Sequence, residues 1–194
     1  RDIDAVDMID VKKAQRANFR KIRDEYVGHL SDNDRSLSFS RIPGLLSAHL
    51  TPGVVLAGYV AIGSEADPSR LLVEAHEQGC IIALPHVVSK ASPMRFLRWN
   101  PGDALIEGPF GLMQPDAQAE PVRPDVLLVP LVAFDDQLMR LGQGAGHYDR
   151  ALSVLENSFA VGLAWSIQYA PALPHDPWDM PLNAVLTEKS WISL

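Results

Sequence analysis

The chain carries a single cysteine, Cys80, among its 194 residues, so no disulfide can close within it. Cys80 opens the apolar run Ile81-Ile82-Ala83-Leu84 and reads as an inert core thiol, with a catalytic nucleophile as the alternative. Basic residues are also short: 17 Lys and Arg against 24 Asp and Glu give a net charge of −7. Without a basic face nucleic acid is excluded as the main partner, although a local cluster of cations can still hold a small anion. The longest apolar runs, 54–62 and 126–134, fall well short of the roughly 20 residues that span a bilayer. The charged N-terminus has no signal-peptide core. These absences give the expectation of a soluble cytoplasmic protein with no nucleic-acid or membrane partner; its expected state is a monomer or weak homodimer. Two nucleotide signatures are missing as well, the G-x-x-x-x-G-K-[ST] phosphate loop and the dinucleotide fingerprint that follows directly on a strand.

Hydrophobic residues make up 47% of the chain, enough to bury one sizeable core, and a single domain over residues 1–194 is the expectation. Residues 10–30 read as a helix, with Ala14, Ala17, Ile22, Val27 and Leu30 scattered among charges. A helical connection follows around 44–49. Residues 54–60 read as a strand, 69–78 as a helix stopped by Gly79, and 81–84 as a strand closed by Pro85. Residues 94–99 alternate like a half-exposed strand, and 101–124 read as irregular surface. Next come a buried strand at 126–129 ending at Pro130, a helix at 147–155, a last central strand at 160–165 and a proline-stiffened loop at 170–179. Strand–helix alternation with nearly continuous apolar strands predicts an α/β domain with a mainly parallel sheet. In such folds ligands sit beyond the carboxyl ends of strands.

The segment with most chemistry is Arg140-Leu-Gly-Gln-Gly-Ala-Gly-His-Tyr-Asp-Arg150. Gly142, Gly144 and Gly146 alternate, so the backbone can take positive φ and turn several N–H groups on one ligand. Followed by a helix N-terminus, such a concavity suits an anion, and Asp149 can hold a metal ion against bound phosphates. A plain glycine-rich turn is the alternative.

Pro130-Leu-Val-Ala-Phe-Asp135 followed by this loop resembles the signature P-x-x-x-F-D…R-x-G-x-G-x-G-Y-Y-D of the 5-formyltetrahydrofolate cyclo-ligase family. Lys12-Lys-Ala-Gln-Arg16 is similar to the family's N-terminal K-x-x-L-R, and Tyr59-Val-Ala-Ile-Gly-Ser-Glu65-Ala-Asp67 to its Y-x-x-x-x-x-E-x-D. Gln168, Pro174, Trp178-Asp179 and Val185-Leu-Thr187-Glu188 are similar to its C-terminal pattern. The resemblance implies a three-layer α/β/α sandwich and an ATP- and Mg²⁺-dependent closure of the reduced folate 5-formyltetrahydrofolate to 5,10-methenyltetrahydrofolate, with release of ADP and phosphate.

It also implies roles for individual residues. Lys12 and Arg16, four apart on one helix face, become ATP-phosphate ligands, with Lys13 as the neighbour if the register slips; a solvated charged face is the alternative. Arg140 neutralises the transferring phosphate, or else pairs with Asp135 or Asp136. Leu141, Gly142, Gln143, Gly144, Ala145, Gly146, His147 and Tyr148 complete the nucleotide loop. Asp149 binds metal, or caps the helix, and Asp179 is a second metal candidate. Glu65 binds the pterin ring, or else favours the following helix start; Tyr59 and Val60 line the same pocket. Trp99 and Phe96 stack on the folate, or form a strand edge. Three departures from the family pattern stand out: His147 for the first Tyr, Gln143 and Ala145 in the loop, and Gln15 for the N-terminal Leu. They motivate a second reading, a divergent paralogue that binds nucleotide or folate without turnover.

Overall fold

A computed structural model describes residues 5–194; residues 1–4, which the single-domain expectation includes, lie outside the described residues. The first half runs through helices α1 (Ala5–His29), α2 (Asp32–Leu37) and α3 (Gly44–Ser47), then β1 (Val55–Ala57), α4 (Ser69–Glu77), β2 (Ile81–His86) and β3 (Arg95–Arg98). A small hairpin follows, β4 (Ile106–Glu107) and β5 (Met113–Gln114), and then β6 (Val126–Pro130). A second hairpin, β7 (Ala133–Phe134) and β8 (Arg140–Leu141), precedes α5 (His147–Val154), β9 (Phe159–Leu163), β10 (Ala184–Leu186) and β11 (Trp191–Ser193).

Seven strands form one sheet in the order β11-β10-β9-β6-β1-β2-β3. The five inner strands are parallel, and β3 and β11 close the two edges antiparallel. The apolar runs reflect burial on both faces. Val126 and Leu128 of β6 pack with Leu71 and Leu72 of α4 and Val27 of α1. Leu127 and Val129 point the other way, into the cluster of Leu152 and Leu155 at α5. Helices therefore cover both faces, as the α/β/α expectation requires, and each fully buried leucine contributes about 1.5–3 kcal/mol over an exposed one.

Several boundaries differ from the sequence reading. The strand expected over 54–60 is only Val55–Ala57, and the chain then leaves the sheet toward the cleft at Tyr59. Pro85 does not end β2. The register with β1 stops at Ala57 opposite Ala83, so no amide is needed beyond it, and Pro85 pairs with Phe96 of β3 instead. In β3 both Phe96 and Leu97 are buried rather than alternating. The strand at Phe159–Leu163 is not the last central one, because β10 adds parallel to it.

From β1 the chain crosses through α4 to β2, whereas from β6 it crosses through α5 to β9 on the other side. The topological switch therefore lies between β1 and β6, and the loops leaving their carboxyl ends carry Tyr59–Glu65 and the glycine segment. Helix α1 lies beside this opening with inverted amphipathicity: Lys12, Arg23 and Val27 are buried, while Ala14 and Ala17 are exposed.

Candidate active site

A cleft of about 1340 Å³ opens at the switch, bounded by α1, the loop after β1 and the glycine segment. One wall is a rail of cations. Lys12, Arg16, Arg20 and Arg23 recur at i, i+4, i+8 and i+11 on α1, all line the cleft, and span about 16 Å along the helix. Lys12 Nζ donates to Asp176 Oδ2 at 2.7 Å and Asp179 Oδ2 at 2.6 Å. Burial alone would depress the Lys12 ammonium pKa, but the two carboxylates outweigh it and hold it above the ordinary value. Arg16 Nε donates to Gly142 O at 2.7 Å, tying the rail to the glycine loop. Its pKa is lowered by burial first, then by the neighbouring charges of Arg20 and Arg140. Arg20 donates to Gln143 Oε1.

The opposite wall is the segment 140–150, every residue of which lines the cleft. Arg140, 7% exposed, has Nε and Nη1 buried without a hydrogen-bond partner among the described residues. Its guanidinium lies 5.4 Å from the centre of the Tyr148 ring, and burial pushes its pKa down despite Asp149 and Asp179. It makes no ion pair with Asp135 or Asp136. Asp135 instead accepts the N–H groups of Gln137, Met139 and Leu173, and Asp136 accepts the Tyr169 hydroxyl.

A Cβ on Gly142 would stand 2.5 Å from Arg140 Nη1, so a side chain there would have to displace the guanidinium. Gly146 starts α5 with φ +74°, in the left-handed region. Leu141 turns its side chain into a buried cluster with Val132 and Leu173, so it offers the cleft its backbone. His147 Nε2 lies 3.0 Å from Ser89 O.

Asp149 does not cap α5; its Oδ1 accepts Met180 N–H at 3.1 Å. Asp179 also receives Asp176 N–H at 2.8 Å, so its Oδ2 is shared between that amide and Lys12. Among the described residues no group of three or more His, Cys, Asp or Glu is arranged to hold a metal ion.

Tyr59, Val60 and Glu65 also line the cleft. Glu65 Oε1 accepts Ile62 N–H at 2.8 Å, and burial raises its pKa more than that bond, Arg23 and Arg20 lower it. It does not serve the start of α4, which Asp67 does by accepting Ser69 N–H. Tyr59 is buried and donates to Ala66 O. Trp99 must be withdrawn from the substrate set. It packs on the core beside β3 and donates Nε1 to Asp103 O, away from the cleft; Phe96 is buried in the core as well.

Other residues of the C-terminal pattern are architectural. Gln168 donates to Leu131 O and Val132 O, and Glu188 accepts Ser166 N–H. Sequence reasoning missed Arg20, Arg23 and Asp176. The cation spacing on α1 was the signal for the first two; an acid three residues before Asp179 was the signal for the third.

The model of the 5-formyltetrahydrofolate cyclo-ligase family matches residues 11–188. The chain is 36% identical over 153 residues to the 5-formyltetrahydrofolate cyclo-ligase of Escherichia coli (strain K12), covering 72% of this chain and 84% of that one. To the enzyme of the same name from Mycolicibacterium smegmatis it is 32% identical over 158 residues, 77% and 81% of the two chains. The NMR structure of Aquifex aeolicus 5,10-methenyltetrahydrofolate synthetase superposes with a TM-score of 0.74 at 31% identity, covering 94% of this chain and 92% of that one. With this fold, this cleft at its switch point and these relatives, the chain belongs to the 5-formyltetrahydrofolate cyclo-ligase family.

Proposed function

We propose that this cleft closes 5-formyltetrahydrofolate to 5,10-methenyltetrahydrofolate at the expense of ATP. The formyl oxygen attacks the γ-phosphorus and ADP departs. N10 then adds to the activated formyl carbon, and loss of the N10 proton and of phosphate leaves the methenyl bridge. The observation that carries this reading is Arg140: a buried guanidinium with two unpartnered N–H positions, facing a loop of alternating glycines. Such a group is incomplete until an anion meets it, and transferring phosphate is that anion.

Arg140 and Arg16 neutralise the phosphoryl oxygens, while the backbone from Gly142 to Gly146 cradles the remaining phosphates. Tyr148 stays protonated, its pKa raised by burial, and packs against Arg140. Lys12 acts through Asp176 and Asp179, fixing both carboxylates. Glu65 accepts paired N–H donors from the pterin, and Tyr59 and Val60 line that end.

Mg²⁺ fits the all-oxygen donor set of Asp149 and Asp179, since this ion is commonly held by one or two carboxylates together with substrate phosphates and waters. Bound there, it would supply charge neutralisation between the phosphates. The test follows product absorbance with 5-formyltetrahydrofolate, ATP and Mg²⁺. Product must require ATP, and Asp149→Asn should lower turnover by more than about tenfold while the protein stays folded. Folded wild-type protein that binds ATP yet forms no product would overturn the reading.

A further inference from the structure

The reaction as described leaves Arg23 unused, although it is among the most enclosed cations of the cleft, with 7% of its surface exposed. Its Nε donates to Ser64 Oγ at 2.8 Å, and that hydroxyl donates to Asp24. Ser64 is in turn pinned by Trp165, whose Nε1 donates to its carbonyl at 2.9 Å. The guanidinium is therefore fixed against the loop that carries Glu65. Its Nη1 is buried without a partner, and Arg23 takes part in none of the ion pairs among the described residues. A cation held only to stabilise the fold would be paired, because an unpartnered buried donor is destabilising. Asp24, the nearest acid in sequence, is engaged with Ser64 instead.

What meets Arg23 follows from its neighbour. If Glu65 accepts the amino and N3–H donors of the pterin, the next group round that edge of the ring is the C4 carbonyl, an acceptor. A carboxylate followed by a cation matches an edge that reads donor, donor, acceptor. We propose that the Arg23 guanidinium donates to the pterin O4, which makes it a further substrate-binding residue; this rests on the reading of Glu65 as the pterin anchor. The C4 carbonyl lies beside N5, the atom that bears the formyl group. Gripping O4 fixes the rotation of the ring about the Glu65 contact and aims the formyl oxygen along the rail toward Arg16 and Arg140. The carboxylates of the glutamate tail are a poorer match, because Arg23 is 7% exposed and tied through Ser64 to the loop that carries Glu65, whereas Arg16 and Arg20 on the same helix are more exposed.

The test compares three ligands: ATP, 5-formyltetrahydrofolate, and 6-methyl-5-formyltetrahydropterin, which has the ring without the tail. Arg23→Met should weaken the folate and the pterin fragment by the same factor, about ten- to a hundredfold, and leave ATP affinity within about twofold. Arg23→Lys, which keeps the charge but not the planar fork, should fall between wild type and Met; it carries the same comparison if the Met variant does not fold. Loss confined to the tailed substrate would assign Arg23 to the carboxylates and overturn the proposal, as would equal losses for ATP and folate. Glu65→Gln separates the two levels. If it leaves the pterin fragment unaffected, the anchor reading fails by itself. If it weakens the fragment while Arg23→Met does not, only the present proposal falls.

Discussion

Replacing Arg140 by Met should slow the reaction and, at the same time, stabilise the ligand-free protein. The guanidinium is 7% exposed and, among the described residues, has no carboxylate partner and leaves Nε and Nη1 without acceptors. If those two positions meet phosphate oxygens, each charge-assisted bond is worth about 1.5–3 kcal/mol. Together they give about 3–6 kcal/mol, or roughly 10²–10⁴ in kcat. In the ligand-free state the same two donors destabilise by about 1–3 kcal/mol each. Contact with the Tyr148 ring, 5.4 Å away, returns only about 1 kcal/mol. Met fills a similar volume without the charge, so a net gain of roughly 1–5 kcal/mol is expected, seen as a rise of about 2–4 °C in Tm for each kcal/mol in a chain of this size. Steady-state kinetics at saturating ATP and folate, paired with calorimetric melts without ligand, measure both quantities. A variant with a lower Tm and kcat within tenfold of wild type would show that Arg140 is a fold residue and refute the assignment.

Gly142→Ala should reproduce much of that kinetic loss by displacing the same guanidinium. The new Cβ would stand 2.5 Å from Arg140 Nη1 and 3.0 Å from Nη2, so kcat should fall by more than about tenfold; a wild-type kcat would show that the loop yields freely. Glu65→Gln should weaken folate binding more than ATP binding, and it should also stabilise the ligand-free protein in a pH-dependent way. Burial raises the Glu65 pKa, so its contribution to stability is fully present below the ordinary carboxylate range and is lost as pH rises through the elevated folded value. The variant's Tm should match wild type near pH 4 and exceed it near pH 7. A less stable variant at pH 7 would contradict the burial argument.

What was legible in the sequence was whatever local pattern dictates. Leu71, Leu72 and Ala75 repeat at helical spacing before Gly79, and the chain from Val126 to Val129 is apolar because both faces of β6 are covered. The alternating glycines between two arginines fixed attention on the segment that walls the cleft. β10 and β11 were missed because three residues each are too short to display a period, and their pairing with β9 is a tertiary fact. Trp99 was misplaced because an aromatic on an edge strand reads the same whether it faces a ligand or the core. Arg20 and Arg23 escaped notice for a related reason: cations on a helix are ordinarily solvated. Only the fold reveals that α1 turns Ala14 and Ala17 outward and Lys12 and Arg23 in.

That inversion explains why a chain of net charge −7 can still take a triphosphate and a folate. The rail is compensated unevenly. At one end of the rail Lys12 is neutralised by Asp176 and Asp179, and this holds the acids in place. Next along it, the Arg16 pKa is lowered by burial and by the charges of Arg20 and Arg140, and among the described residues Arg140 and Arg23 each retain a buried donor with no acceptor. In the proposed assignment the uncompensated positions are the two between which the chemistry runs, Arg140 at the phosphoryl end and Arg23 at the pterin end. In water such charges would be screened and indifferent to their ligands. In a cleft walled by a helix and the loops beyond the sheet's carboxyl ends the same charges interact far more strongly, so substrates that bring the missing acceptors gain what the ligand-free fold lacks. On this account the strain is part of the site's design for binding anions, and it stays small enough for the two core clusters on the sheet faces to carry.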